Sequence, residues 1–415
     1  SQKRKKMSQI KKLFLIIIKI ITFKIKISFK TPKHSKIVVF DKVSFVDMKY
    51  ILDGEDYFAV EARYDQISTI YLNHKIFFAL LKNKYKNIFT SYIVEIINIV
   101  KPNLIITLSD NSLKFLHINK IFKNKIRTMA IQNGTRYEFN LNNHLEKFLK
   151  KNNNKLFFYD IYLSLGEYEI EQLKNFKIPF AHCVPVGSLR LSNALKYFEE
   201  NDIKIKKNYY DICLISDAMA NFDRRYKIPS AEIKLFTMVK NIFKFSKENN
   251  LKLVVCLKRA DKKNLDIELS NYAKYLTNDE LNYLKENVSI RSTLNKSDYY
   301  KSYLNMMESK LTIACFSTML RENIGLGKKA LSYNLIPTNN LNFISKNICA
   351  LKNANYQEFS ERAKLLLNMS EQAYLNELGN DKEKIIYNNE SISTISLIKK
   401  YMSKINENPK YNFNS

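Results

Sequence analysis

Residues 297–334 read SDYYKSYLNMMESKLTIACFSTMLRENIGLGKKALSYN, and this stretch decides the fold. Its hydrophobic pattern predicts a helix over Tyr299–Glu308, a buried strand over Leu311–Ala314, a Ser-Thr turn, a helix over Thr318–Gly325 and a strand over Ala330–Tyr333. Short continuous apolar strands that alternate with helices are typical of parallel sheets covered on both faces. The stretch therefore predicts one unit of a Rossmann-like domain.

The same alternation extends over the whole chain, and 415 residues are too many for one ordinary core. Apolar periodicity lapses in the charged stretch Glu199–Lys207, which indicates a boundary. The sequence thus predicts an α/β protein with two Rossmann-like domains that face each other across a cleft. We assign residues 36–198 to the first domain and 208–385 to the second. A basic apolar segment (1–35) precedes them, and a C-terminal helix with a polar tail (386–415) follows. The other apolar runs expected to form strands are Ile37–Phe40, Tyr57–Val60, Leu104–Leu108, Thr128–Ile131, Leu156–Leu163, Val184–Val186, Ile212–Ile215, Leu253–Leu257 and Val288–Ile290.

Charge and motif content exclude several classes of function. The net charge is +28, but the first 36 residues alone carry 12 Lys or Arg and no acidic residue, and the remaining lysines are dispersed. We therefore predict no nucleic-acid partner. The sequence has no G-x-G-x-x-G, P-loop or D-x-D motif and no Cys/His cluster, which predicts neither a cofactor nor a bound metal. Five widely spaced cysteines are typical of a reducing, cytoplasmic protein.

The N-terminal segment Ile10–Phe29 is apolar but is interrupted by five lysines, so its uncharged runs are too short to span a bilayer. Two interpretations stay open. The segment either lies on an anionic membrane surface, which would make the protein peripheral at the inner face of the cytoplasmic membrane, or forms an ordinary amphipathic helix packed on the first domain. Residues 1–6 precede Met7 and are set aside.

The turn Ser317-Thr318 stands between a predicted parallel strand and a predicted helix. Free backbone N–H groups, the helix dipole and two hydroxyls at that point form an anion site beyond the carboxyl end of the sheet. Glu322 lies one turn further on and is placed to accept hydrogen bonds from a ribose. The alternative is that Ser317 or Thr318 is a plain N-cap.

Three motifs resemble one group of enzymes, the bacterial surface-polysaccharide glycosyltransferases of the GT-B type. The first is the Ser-Thr turn with Glu322 and the following Gly327-Lys328-Lys329. The second is the segment Val184–Arg190 (VPVGSLR), and the third is Ile131–Arg136 (IQNGTR). The resemblance implies that the second half binds a nucleotide sugar and the first half binds an oligosaccharide or lipid-linked glycan acceptor. It implies donor-binding roles for Ser317, Thr318 and Glu322. Lys258 and Arg259 follow the apolar run Leu253–Leu257, and this strand-end position predicts that they bind the anionic donor, with surface solvation as the alternative. The same two alternatives apply to Arg136 and Arg190 in the first half. We also assign Ser216 to the donor site, and Asp110, Asn133 and Ser188 to the acceptor side or cleft.

Within that group the sequence is most similar to the retaining β-Kdo transferases, which use CMP-Kdo and a carboxylate nucleophile. The resemblance implies Asp217 as nucleophile and Glu138 as acid/base. Alternatively, Asp217 is a helix cap and Glu138 is solvated. Two other functions stay open: a CDP-glycerol or CDP-ribitol phosphotransferase of the same fold, although its usual histidine is replaced by Asn133, and a non-enzymatic basic polymer-binding protein.

Overall fold

A computed structural model describes residues 22, 25–42, 45–63, 67–82, 87–136, 158–217, 223, 228–257, 265–289, 299–338, 341–389 and 391–408. In chain order its strands are β1 (Lys26–Ser28), β2 (Ile37–Phe40), β3 (Tyr57–Val60), β4 (Thr69–Tyr71), β5 (Leu104–Thr107), β6 (Arg127–Ile131), β7 (Tyr159–Ser164), β8 (Phe180–Pro185), β9 (Tyr210–Ile215), β10 (Leu253–Cys256), β11 (Ser309–Ala314), β12 (Lys329–Asn334) and β13 (Ala350–Lys352).

The helices are α1 (Phe45–Leu52), α2 (His74–Lys82), α3 (Ile88–Val100), α4 (Leu113–Phe122), α5 (Tyr168–Asn175), α6 (Leu189–Glu200), α7 (Ala231–Glu248), α8 (Leu265–Tyr272), α9 (Asn278–Asn287), α10 (Lys301–Met307), α11 (Thr318–Gly325), α12 (Tyr356–Asn368), α13 (Glu371–Leu378), α14 (Asp381–Ile385) and α15 (Thr394–Glu407).

The first half forms a parallel sheet in the order β3-β2-β5-β6-β7-β8. Its central strands are apolar on both faces, as in β2 (IVVF), where every residue is buried. Each face is covered by its own core: Val38, Phe40 and Ile105 lie in one, and Ile37 and Val39 in the other. Burial on both faces explains why these strands read as continuous apolar runs and not as alternating ones.

The second half forms a parallel sheet in the order β10-β9-β11-β12-β13 over a single large core. The two sheets confirm the predicted α/β class with two Rossmann-like domains. Helix α11 has the predicted bounds. The domain boundaries stay a prediction.

Several predicted elements need correction. Of the predicted strand Val288–Ile290, Val288 makes a single parallel bridge to Val255, and Ile290 lies outside the described residues. Strand β8 begins four residues before the predicted start at Val184. The sequence pattern missed β13 and the small parallel sheet of β1 and β4, all of three residues each. Most of the segment Ile10–Phe29 lies outside the described residues, but its residues Lys26–Ser28 form β1 and not a helix.

The C-terminal helix α15 returns to the first sheet, where Ile398 and Met402 are buried in the core that also holds Ile37. To reach it, the chain passes close to Gly187, which has φ +83°. A Cβ atom at Gly187 would lie 2.6 Å from the Tyr387 carbonyl oxygen, so this crossing requires glycine. Residues beyond 408 lie outside the described part of the chain.

A buried ion pair joins the two halves. Arg321 of α11 donates to both carboxylate oxygens of Glu169 of α5, at 2.6 and 3.0 Å, and its Nε donates to the Ile385 carbonyl oxygen. The two side chains are 0% and 3% exposed. Glu169 also accepts a hydrogen bond from Gln132 at 2.9 Å. Since each charge is desolvated, removal of either partner would leave an uncompensated charge in the interior.

We predict that Arg321→Met lowers the free energy of unfolding by about 3–5 kcal/mol, because Glu169 remains charged and buried. The double variant Arg321→Met/Glu169→Gln should be less destabilised than Arg321→Met alone, since it removes the unpaired charge. Urea denaturation checks both. Lys310→Met, which breaks the half-exposed pair Lys310–Asp211, is the matched control and should cost about 1 kcal/mol or less. A double variant as unstable as Arg321→Met would contradict the electrostatic explanation.

Candidate functional site

The Ser-Thr turn has the predicted position, between the end of β11 and the start of α11. Ser317 is the N-cap residue, and its hydroxyl accepts a hydrogen bond from the Met319 N–H at 3.4 Å. Ser317 is therefore an N-cap, as one interpretation predicted. This does not conflict with an anion site, because free N–H groups and the helix dipole attract an anion at the same end of the helix.

Asp217 lies at the end of β9, the neighbour of β11. Its carboxylate accepts a hydrogen bond from the Phe316 backbone N–H at 3.0 Å. This bond holds the Ser-Thr turn against the adjacent strand end. Asp217 is partly exposed, so it lies beside the turn at the carboxyl edge of the sheet.

The first half contributes its own strand-end turn to the same place. The Thr135 backbone N–H donates to the Thr318 hydroxyl at 2.8 Å. A Cβ atom at Gly134 would lie 3.3 Å from that hydroxyl oxygen, so the glycine permits the close approach. The IQNG turn and the Ser-Thr turn, which the sequence predicted separately, thus meet across the two sheets.

Glu322 is buried where the two halves meet. Its Oε1 accepts hydrogen bonds from the Ser188 hydroxyl at 2.5 Å and from the Tyr303 hydroxyl at 3.1 Å. Oε2 is buried and has no hydrogen-bond partner among the described residues. Burial raises the pKa of the Glu322 carboxyl, and the bonds from Ser188 and Tyr303 oppose that rise. The arrangement leaves one carboxyl oxygen without a hydrogen bond from any described residue.

Arg190 follows Ser188 on α6 and forms an ion pair with Asp47, with 3.0 Å between the guanidinium and the carboxylate. Tyr299 donates to the other oxygen of Asp47 at 2.8 Å. Burial lowers the pKa of Arg190, but Asp47 together with Tyr303 and Tyr299 more than offsets this, so the net shift is upward. Because its side chain is 42% exposed, the guanidinium remains accessible at the rim.

Three predicted acceptor-side residues form one cluster at the edge of the first sheet. Arg136 donates from Nε to Asp110 at 2.7 Å, makes a second, shorter contact with the same carboxylate, and donates to the Asn133 side-chain oxygen at 2.8 Å. Tyr162 donates to Asp110 as well, at 3.1 Å. Asp110 is 1% exposed, so this cluster fixes the shape of the edge, and Arg136 reaches a ligand only with its remaining N–H groups.

Other predicted residues have different surroundings. The Ser216 hydroxyl is buried and bonds the hydroxyl of Tyr272. Lys329 donates to the Leu367 and Met369 carbonyl oxygens at the end of α12, so this part of the GKK motif is structural. Glu138, Lys258 and Arg259 lie outside the described residues, and their roles stay predictions.

Sequence reasoning missed Arg321, Glu169, Tyr303 and Asp47. Arg321 lies inside the quoted Ser-Thr motif, one residue before Glu322. Its partner Glu169 is 152 residues away, so no local pattern indicated the pair. Gln132 belongs to the IQNG motif, and its side chain donates to the Gly134 carbonyl oxygen at 2.9 Å, a bond that the motif alone does not predict.

Neither a metal site nor a membrane-spanning helix is present in the described part of the chain. Within it, no group of three or more His, Cys, Asp or Glu side chains is arranged to hold a metal ion. The same residues contain no helix with the length and apolar character needed to cross a bilayer. The predictions of a metal-free site and of a peripheral location remain predictions.

Comparison with solved structures identifies the fold. No protein-family model and no curated protein matches the sequence. The S. aureus MnaA–UDP co-structure is similar to this chain with a TM-score of 0.51 and 14% identity, covering 89% of this chain and 97% of that chain. The wall teichoic acid polymerase TagF gives a TM-score of 0.49 at 12% identity, over 98% of this chain and 99% of its own. The UDP-GlcNAc 2-epimerase from Neisseria meningitidis bound to UDP-GlcNAc gives 0.48 at 14% identity, over 89% and 98%. The MnaA similarity shows that this chain has a GT-B-like fold.

We predict that Glu322 makes the free energy of unfolding depend on pH. Its raised pKa means that, above the ordinary value of 4.5, the folded chain holds more protons than the unfolded chain, so stability falls as pH rises. Glu322→Gln cannot titrate. The free energy of unfolding of the wild type, minus that of Glu322→Gln, should therefore decrease between about pH 4 and about pH 7. The exposed Glu361→Gln shows whether any Glu→Gln change has this effect. A difference that stays flat or grows would mean that the Glu322 carboxyl is not destabilised by burial.

Proposed function

We propose that this protein is a nucleotide-sugar-dependent glycosyltransferase of bacterial surface-polysaccharide biosynthesis. The single observation that carries the proposal is the contact of the two strand-end turns, in which the Thr135 N–H bonds the Thr318 hydroxyl. In open parallel sheets, ligands bind beyond the carboxyl ends of the strands. Here two such edges meet, so a donor on one sheet and an acceptor on the other would lie side by side.

The donor side is the second sheet. The N-terminus of α11, with Ser317 and Thr318, supplies N–H groups, a dipole and hydroxyls for the phosphates of a nucleotide. The buried Oε2 of Glu322 lacks a partner among the described residues and suits a ribose hydroxyl. The bound UDP in the MnaA structure supports a nucleotide ligand for this fold.

The acceptor side is the first sheet. Asn133 and Arg136 offer polar groups at its edge, where the buried Asp110 holds the Arg136 guanidinium, and Arg190 keeps an accessible guanidinium near Glu322. Groups of this kind bind hydroxyls and anionic substituents of a glycan. We propose an oligosaccharide or lipid-linked glycan as the acceptor.

The finer proposal is transfer of Kdo from CMP-Kdo with retention. A carboxylate oxygen of Asp217 would form a bond to the anomeric carbon while the bond to the CMP phosphate oxygen breaks and its electron pair leaves with the phosphate. The acceptor hydroxyl would then displace Asp217 and give its proton to Glu138. The position of Asp217 beside the proposed phosphate site supports the first step.

The first experiment is thermal stabilisation by CMP, CDP, UDP and GDP without added metal. We expect a CMP-selective rise in melting temperature that Ser317→Ala abolishes, because the turn binds the phosphate; saturating ligand at about 100 times its Kd adds about 2.7 kcal/mol. Ser370→Ala is the matched control, since Ser370 is also an N-cap serine, at the start of α13. A shift with UDP or GDP instead excludes Kdo, selectivity for CDP favours the phosphotransferase, and no shift with any nucleotide favours a polymer-binding protein.

The second experiment tests Asp217. Asp217→Asn retains an oxygen that accepts the Phe316 N–H, but it removes the nucleophilic charge. We expect kcat for transfer to fall on the order of a thousandfold or more while the nucleotide-induced stabilisation persists. Retained activity in Asp217→Asn would assign the residue to the turn alone. Epimerisation of the donor sugar without an acceptor, followed by NMR, would show that the enzyme is an epimerase and not a transferase.

A further inference from the structure

Helix α2 (His74–Lys82) carries an apolar stripe that faces solvent. Phe77, Phe78 and Leu81 are 48%, 58% and 66% exposed, whereas Ile76 on the opposite face is fully buried. Together with His74 these residues follow the i, i+3, i+4, i+7 spacing of a single helix face. The helix therefore packs Ile76 and Leu80 against the core and has a second apolar face that is largely exposed.

Two neighbouring elements extend this face. Phe29, 74% exposed, follows β1, and the Leu72 N–H just before α2 donates to the Ser28 carbonyl oxygen at 2.8 Å. Ile88, 59% exposed, begins α3, which packs along α2. We call Phe29, Phe77, Phe78, Leu81 and Ile88 the apolar face.

The concentration of these residues distinguishes them from ordinary surface apolar residues. Ile233 on α7 and Ile267 on α8 are exposed to similar extents, 57% and 58%, but each is the only strongly exposed large apolar residue of its helix in the described structure. Single exposed apolar side chains are normal, whereas a contiguous group marks a surface that binds something apolar.

The charge around the apolar face indicates the partner. Residues 67–94 contain four lysines and no acidic residue. Lys75 and Lys82 on α2, and Lys26 and Lys30 beside Phe29, are exposed. Two copies of this surface would bring like charges together, which opposes self-association. An apolar layer beneath a negatively charged surface matches both features, and that is the structure of an anionic bilayer interface.

We propose that the apolar face docks the first half of the protein on an anionic membrane, with the phenyl rings and Leu81 inserted at the level of the headgroups and the lysines paired with lipid phosphates. None of the residues of the apolar face belongs to the stretch 10–24, and the inference does not depend on the proposed catalytic activity. It would hold the first sheet near substrates that reside in the membrane.

The test is co-sedimentation of the full chain with vesicles of phosphatidylcholine alone or mixed with phosphatidylglycerol. The wild type should bind the anionic vesicles at low salt and much less at high salt. Phe77→Ser/Phe78→Ser/Leu81→Ser should weaken this binding at least about tenfold, because each buried apolar side chain contributes to the affinity. Ile233→Ser/Ile267→Ser, which changes equally exposed residues elsewhere, should bind like the wild type. Melting temperatures confirm that both variants fold.

A second variant separates the charge from the apolar contact. Lys75→Gln/Lys82→Gln should weaken binding to anionic vesicles and reduce its salt dependence. The proposal is overturned if the wild type does not bind anionic vesicles, or if the triple variant binds as tightly as the wild type. It is also overturned if light scattering shows a wild-type dimer that the triple variant loses, because the apolar face would then be a protein interface.

Discussion

The buried pair Arg321–Glu169 is the constraint on which the arrangement of the two halves depends. A desolvated guanidinium and carboxylate stabilise a fold only if nearly all their hydrogen bonds are made, and here Gln132 and the Ile385 carbonyl provide the additional ones. This requirement fixes α11 against α5. Since α11 begins at the Ser-Thr turn, the same pair fixes where the proposed phosphate site lies relative to the first sheet.

Arg321 and Glu322 are neighbours on α11, but they are bonded differently where the two halves meet. Each guanidinium nitrogen of Arg321 donates to a protein oxygen, whereas Glu322 is bonded at one oxygen and left without a partner at the other among the described residues. Burying a carboxyl oxygen without a hydrogen bond destabilises the fold. Groups of this kind are typical of sites that bind a ligand. The contrast supports a structural role for Arg321 and a ligand-binding role for Glu322.

The parts of the fold that depend on local pattern could be predicted from the sequence. The apolar runs IVVF and LIIT are readable because burial on both faces removes alternation, and the Ser317 cap is readable because it follows such a run. The pair Arg321–Glu169, the Ser188–Glu322 bond and the return of α15 to the first sheet join residues more than a hundred positions apart. No periodicity encodes such contacts, so the sequence indicated the edge of each sheet but not how the edges meet.

The exposure of the apolar face could not be predicted from the sequence, for a different reason. The periodicity of HKIFFALLK predicts a helix with an apolar side, and the usual inference buries that side in the core. Here Ile76 is the residue of α2 that the core buries completely, and both phenyl rings remain exposed. Periodicity predicts which residues share a face of a helix, but it does not predict which face packs against the protein core. An apolar face that remains exposed after the core is complete therefore carries information about an environment outside the protein.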